Sequence, residues 1–173
     1  MKIAVLTISD RAVRGEYEDL SGTMIEEWLS KVVTSPYSLT RKVIGNDFEI
    51  VNDALIELCD QDRFDLVLTT GGTGPSAHDN TPLAMRAIIS KELPGFGELL
   101  RRVSLDQSPI AMLSRDSAGI RGHTLIINIP AHLASIRVCL ETVFPSVPHC
   151  LKVIGAGHMD TNPAVLNAYR SAS

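Results

Sequence analysis

The sequence predicts a three-layer α/β/α domain built on a mostly parallel sheet. Two observations carry that prediction. Short apolar runs rich in β-branched residues recur at Lys2–Ser9, Asp65–Thr70 and Thr124–Ile129, and amphipathic helical patterns lie between them. Runs that are apolar on both faces suit buried parallel strands, whose neighbours are joined by helical crossovers.

Taken in order, Lys2–Ser9 (KIAVLTIS) reads as the first buried strand. Thr23-x-x-Glu26 has the form of a capping box, with Ile25, Trp28, Leu29 and Val32 following at helical spacing, so a helix is expected to start there. Leu39–Ile44 alternates weakly, as a strand nearer an edge does. Asn46 precedes Glu49 by three and is placed to cap, and Val51, Leu55 and Leu58 give the next helix its stripe. Asp65–Thr70 is the second clear buried strand.

Beyond it, Thr81 is expected to cap and Pro82 to take the first helical position, with Leu83, Ala84, Ala87 and Ile88 inward. Pro94-Gly95 reads as the end of that helix, and Phe96, Leu99, Leu100 and Val103 as the start of another. Gly119–Pro130 predicts a short strand, a turn near Gly122 and the buried strand Thr124–Ile129. Ile136, Leu140 and Val143 mark one more helix and Val147–Ile154 another. No repeat or linker interrupts the chain. The reading is one domain over residues 1–173, with 158–173 as a C-terminal tail of little periodicity.

Composition narrows the function. The chain has 173 residues, 45% of them apolar, which suits one ordinary core, and a net charge of −4, which offers no general nucleic-acid surface. No stretch approaches a membrane span, and Ile3–Ile8 is too short for the apolar region of a signal peptide, so a cytoplasmic protein is expected. The three cysteines lack C-x-x-C spacing. Cys59 and Cys139 fall inside amphipathic patterns and read as buried reduced thiols rather than zinc ligands.

The most informative stretch is TTGGTGPSAHDNTP, residues 69–82. Gly72-x-Gly74-x-x-Ala77 formally matches a dinucleotide fingerprint, but Pro75 intervenes, the next helix waits until about Pro82, and no acidic residue ends a following strand. A Walker loop fails too, because no Gly-Lys-Ser/Thr follows. A plain turn using glycine's φ freedom competes with an anion site. The position favours the anion site. The loop follows the C-terminal end of a buried strand, where open α/β sheets bind ligands. Its N–H groups, with the hydroxyls of Thr69, Thr70 and Thr73, suit phosphate oxygens.

Four segments together, TTGGTGPSAHDNTP, PGFGELLRRVSL, SRDSAGIRGHTLIINIP and the opening ISDRAVRGEYEDLSG, resemble the molybdopterin adenylyltransferase family from Lys2 to about Ile154. The resemblance implies a three-layer α/β fold, usually homotrimeric. It implies transfer of AMP from ATP to the terminal phosphate of molybdopterin with Mg²⁺ as cofactor, late in molybdenum cofactor synthesis and ahead of a molybdenum-insertion enzyme. It also implies site roles. Asp79 matches the loop aspartate, a catalytic and metal-side carboxylate. The second family carboxylate falls on Asn46 with Asp47 immediately after, and both remain open for that role, Asp47 as the metal-side group. Thr70, Gly71, Gly72, Thr73 and Gly74 are implied to bind phosphate; Ser9, Asp10 and Arg11 match a Ser-Asp-Arg at the same sheet end. Pro94, Gly95, Phe96, Gly97 and Glu98 match a loop lining the pocket. Ser114 and Arg115 match a Ser-Arg pair implied to bind substrate, with Arg115 as a cation for a substrate phosphate, and Pro130 precedes a second anion-binding turn.

The chain departs from the family in places. His78 replaces an arginine before the aspartate, exchanging a fixed charge for one that titrates near neutrality. Ala131-His132-Leu133 stands where Gly-x-Pro is usual, and the insertion some relatives carry before Ser146 is missing. A non-catalytic molybdopterin-binding domain, or a scaffold of the same fold, therefore stays open beside the enzyme.

Overall fold

The computed structural model describes residues 1–169; the last four residues of the expected tail, 170–173, lie outside the described residues. Six strands form one sheet: β1 (Lys2–Ile8), β2 (Ser38–Ile44), β3 (Leu66–Thr70), β4 (Lys91–Glu92), β5 (Ala118–Arg121) and β6 (Thr124–Ile129), in the order β2-β1-β3-β6-β5-β4. The first four positions are parallel, and β5 and β4 are added antiparallel through the turn at Gly122 (φ +57°). Weakly alternating β2 is the parallel edge.

Alternation along each strand divides the core in two. Ile3, Val5, Leu66, Leu68, Leu125 and Ile127 face α2 (Leu20–Val32), α5 (Pro94–Leu105), α6 (Leu133–Val143) and α7 (Val147–Val153). Ala4, Leu6, Ile8, Val67 and Ile126 face α3 (Phe48–Ile56) and α4 (Thr81–Ile88). Three layers result. A short α1 (Asp10–Val13) follows β1. Cys59 and Cys139 are buried free thiols, and burial pushes each up to about 11.

Several helix starts differ from the sequence reading. The cap of α2 is Asp19, not Thr23, because its carboxylate accepts from Gly22 N at 2.8 Å and from Thr7 Oγ1 at 2.9 Å, and Arg41 pairs with it at 2.8 Å. The cap of α3 is Asp47, not Asn46, through a 3.0 Å bond from Glu49 N. Thr81 does not cap α4 but stands inside it, its hydroxyl committed to Gly71 O. Leu83 and Ala87 are exposed, and Met85 fills the inward position instead. Pro94-Gly95 opens α5 rather than closing α4, and the two-residue strand β4 comes between.

The topology fixes where a ligand is expected. The chain leaves β1 toward β2 on one side, whereas β3 lies on the other side and leads toward β6. The carboxyl ends of β1 and β3 thus flank the switch point of the sheet. Asp10 follows the first of these ends and the glycine loop follows the second.

Candidate active site

The glycine loop is held from beneath. Gly71 and Gly72 adopt φ of +100° and +63°, the region that favours glycine, so the chain turns sharply as it leaves β3. Four consecutive carbonyls are then taken by inward donors. Thr81 Oγ1 donates to Gly71 O at 2.8 Å and Thr81 N to Gly72 O at 3.1 Å. Arg115 N donates to Thr73 O at 2.9 Å, and Arg115 Nε to Gly74 O at 2.9 Å. In a trans peptide the N–H points opposite its carbonyl. The N–H groups of Gly72, Thr73 and Gly74 therefore turn away from Thr81 and Arg115, and among the described residues none donates to a backbone or side-chain acceptor. A row of outward amides is an anion nest.

The nest is not lined by every threonine expected there. Thr69 is fully buried and accepts from Asn128 Nδ2 at 2.7 Å, and Thr70 donates to Pro130 O at 3.3 Å. These hydroxyls tie β3 to β6 instead of facing a ligand. Pro130 enters the site as the carbonyl that holds Thr70.

Asp79 closes the loop. Its Oδ2 accepts from Ser76 N at 3.0 Å, its carbonyl accepts from Arg115 Nη2, and its carboxylate lies against the Cα face of Gly74, where a Cβ would meet Oδ2 at 2.8 Å. Arg115 thus spans Thr73, Gly74 and Asp79 and carries its positive charge to the loop's flank. Asn80 Nδ2 donates to Asn46 O at 2.9 Å and joins the loop to the segment ahead of α3.

There Asn46 and Asp47 separate. Asp47 is exposed and engaged in capping. Asn46 faces the loop: a Cβ on Gly72 would meet its Oδ1 at 3.1 Å, and that buried oxygen has no hydrogen-bond partner. Asp10 reaches the same point, accepting from Asn46 N at 2.8 Å, with Asn46 Nδ2 at 3.5 Å from its other oxygen. Asp10 and Asn46 therefore meet each other beside Gly72, while Asp79 meets the same loop at Gly74. Ser9 caps α1 and shares a hydrogen bond with Tyr17 at 2.5 Å, while Arg11 pairs with Glu16 at 3.1 Å in the open and not with Asp10.

The Pro94–Glu98 segment is divided. Pro94, Gly95 and Phe96 line an apolar cleft of about 350 Å³ with Leu99 and Val143, apart from the glycine loop. Pro94 also borders a hollow of about 270 Å³ with Ser114 and Arg115. Glu98 is exposed and Gly97 is buried against the Asp116 carbonyl.

Sequence reasoning missed Thr81, Asn80 and Asp116. Asp116 is 2% exposed; its Oδ2 accepts from Ser114 Oγ, and Arg101 Nη1 donates to its carbonyl at 2.8 Å. Burial pushes its carboxyl above the usual range, while the nearby hydroxyls of Ser114 and Thr73 and the Arg101 cation pull the other way. Thr73 stands beside this carboxyl without a hydrogen bond of normal geometry, and Oδ1 has no partner. Its one sequence signal was adjacency to the Ser114-Arg115 pair.

No three His, Cys, Asp or Glu side chains cluster as a metal cage among the described residues. Mg²⁺ does not require one, since it is commonly bound through one or two carboxylates plus substrate phosphates.

Comparisons with known proteins place the chain in one family. The family model described as "Probable molybdopterin binding domain" matches residues 4–149. The chain is 47% identical over 168 residues to a molybdopterin adenylyltransferase of Helicobacter pylori, covering 97% of this chain and 96% of that one. It is 40% identical over 185 residues to the molybdopterin adenylyltransferase of Escherichia coli, covering 100% and 95%. Among solved structures, the molybdopterin biosynthesis enzyme MoaB from Thermus thermophilus superposes with a TM-score of 0.82 at 36% identity, covering 92% of this chain and 99% of that one.

Proposed function

The chain belongs to the molybdopterin-binding domain family, and on that premise we propose that it is a molybdopterin adenylyltransferase. It moves AMP from ATP to the terminal phosphate of molybdopterin and releases pyrophosphate. A phosphate oxygen of the pterin attacks the α-phosphorus of ATP, the bond to the β-phosphate oxygen breaks, and its electron pair leaves with pyrophosphate. The observation that carries the reading is the row of outward amides at Gly72–Gly74, with every carbonyl behind it pinned, at the switch point of the sheet.

Two polyanions must meet for this chemistry, so the site has to offset their repulsion. The loop amides hold phosphate oxygens in place without moving, because Thr81 and Arg115 fix the backbone from below, and the Arg115 charge behind the loop adds to the favourable field. The Asp79 carboxylate is oriented by Ser76 N. Asp79 and Asp10 are the carboxylates that would hold Mg²⁺, with the unpartnered Oδ1 of Asn46 as a neutral third donor, and the cation would spread the charge developing on the phosphates. Asp47, engaged as a helix cap, is less suited than Asn46 to the second position.

The chain further reads as one domain over 1–173 that works in the cytoplasm as a homotrimer and hands its product to a molybdenum-insertion enzyme. Ile110, Met112 and Leu113 are exposed together on the turn Pro109–Leu113, which supports self-association. The test is incubation with molybdopterin, ATP and Mg²⁺, followed by mass analysis for adenylylated pterin. A protein that binds molybdopterin yet forms no product is the binding-domain alternative, for which the uncharged Asn46 is the supporting observation.

A further inference from the structure

A cavity of about 240 Å³ opens beside the glycine loop, with Thr73 and Gly74 on its lining. Pro75, Ile110, Ala111, Leu113, Pro130 and Ala131 give it apolar walls, suited to a flat heterocycle. Asp116 is the one acidic side chain lining it, and one of its carboxylate oxygens has no partner in the protein. A buried acceptor left unpaired is costly unless a ligand supplies the donors. Because Thr73 and Gly74 line the same cavity, a ligand seated here meets both the glycine loop and Asp116.

We propose that Asp116 is the specificity-determining residue for the ring in this cavity, its carboxylate reading the two adjacent donors of a 2-amino-4-oxopyrimidine edge. A pterin presents that edge, N3–H beside the 2-amino group. Adenine does not, because its amino group is flanked by ring acceptors. The cavity therefore takes the pterin and rejects the adenine of ATP, which binds elsewhere along the nest. The choice of pterin over other molecules bearing the edge rests on the adenylyl-transfer reading; the edge itself does not.

The test uses fluorescence titration of the full chain with 6-hydroxymethylpterin monophosphate and with the matching lumazine monophosphate, in which a 2-oxo group replaces the amine. Wild-type protein is expected to bind the pterin about 10- to 100-fold more tightly, the range for hydrogen bonds to a charged group. Asp116→Asn keeps one acceptor and gains one donor, so its preference should reverse toward lumazine. Asp116→Ser should show neither preference, which preserves the test if the asparagine variant fails to fold. Guanosine 5′-monophosphate carries the same edge on another ring system: displacement of the pterin probe supports the edge reading with a broader source, and no displacement supports the pterin. Equal or undetectable binding of both probes by wild type refutes the inference, as does an Asp116→Asn protein that still prefers the pterin. Product formation without discrimination would sink Asp116 alone, and discrimination without product would sink only the transferase reading.

Discussion

Gly74→Ala separates the loop's shape from its chemistry. Gly71 and Gly72 have positive φ and Gly74 does not, so alanine at 74 brings no left-handed strain. It gains about 0.4–1 kcal/mol by restricting the unfolded chain. The added Cβ meets Asp79 Oδ2 at 2.8 Å and Cγ at 3.5 Å. Something must move, and the free end is the carboxylate, which gives up its 3.0 Å bond from Ser76 N. That loss costs about 0.5–1.5 kcal/mol. The two effects cancel to within about 1 kcal/mol, a Tm change of about 2–4 °C for a chain of this size. Catalysis should not be spared. A carboxylate displaced by a fraction of an ångström to one ångström loses its aim, at about 10- to 100-fold in turnover. Gly71→Ala is the contrast, because its Cβ runs into the backbone carbonyl of Ile8 with φ at +100°. That variant should lose about 2 kcal/mol or more of stability. Thermal melts and single-turnover formation of adenylylated molybdopterin on both variants settle the matter. A Gly74→Ala enzyme within about threefold of wild type, or one that melts as early as Gly71→Ala, refutes the placement of Asp79.

Asp79→Asn should keep the bond from Ser76 N and melt near wild type, yet lose about 100-fold or more in transfer, read by the same product assay. Asp47→Ala should cost about 0.5–2 kcal/mol through the lost cap, with turnover near wild type, whereas Asn46→Ala should spare the melt and damage turnover. The opposite ranking would hand the second metal-side position back to Asp47. Asp116 has a folded-state carboxyl raised by burial, so between the ordinary carboxylate range and that raised value the folded protein holds a proton the unfolded chain has lost. Its contribution to stability is therefore full at acid pH and falls as pH rises through that window. Asp116→Asn should gain stability relative to wild type as pH rises above the ordinary carboxylate range; urea melts showing a difference that does not change with pH would contradict the burial argument.

How legible the fold was depended on how much of its cause lay nearby in sequence. β1, β3 and β6 could be read directly because strands covered on both faces are uninterrupted apolar runs. The hairpin of β5 and β6 announced itself through Gly122. Helix starts were less legible, since capping is decided by partners far along the chain. Asp19 wins over Thr23 because Thr7 and Arg41 converge on it, and neither contact has a local signature. The two-residue β4 exists only because Gly119 and Ile120 offer it an edge. Without that edge, Pro94 looked like the end of one helix instead of the beginning of the next.

The site divides the same way, and the division explains why spacing and resemblance reached the loop but not its support. Gly71–Gly74 and Asp79 lie within one short segment, so their pattern survives in the sequence. What turns those glycines from a flexible turn into a rigid row of donors is a pair of residues that pattern cannot assign. Thr81 looked like a cap, and Arg115 looked like a cation aimed at substrate, yet both use their hydrogen bonds on the loop's own carbonyls. A nest of mobile amides would have to be ordered by each incoming phosphate, at about 1–2 kcal/mol per residue of backbone entropy. Pinning four carbonyls in advance removes that cost from binding and leaves the amides' dipoles fixed where charge develops. The chemistry is carried by bare backbone, and its readiness is carried by two residues that grip the loop from behind, through both their backbone and their side chains.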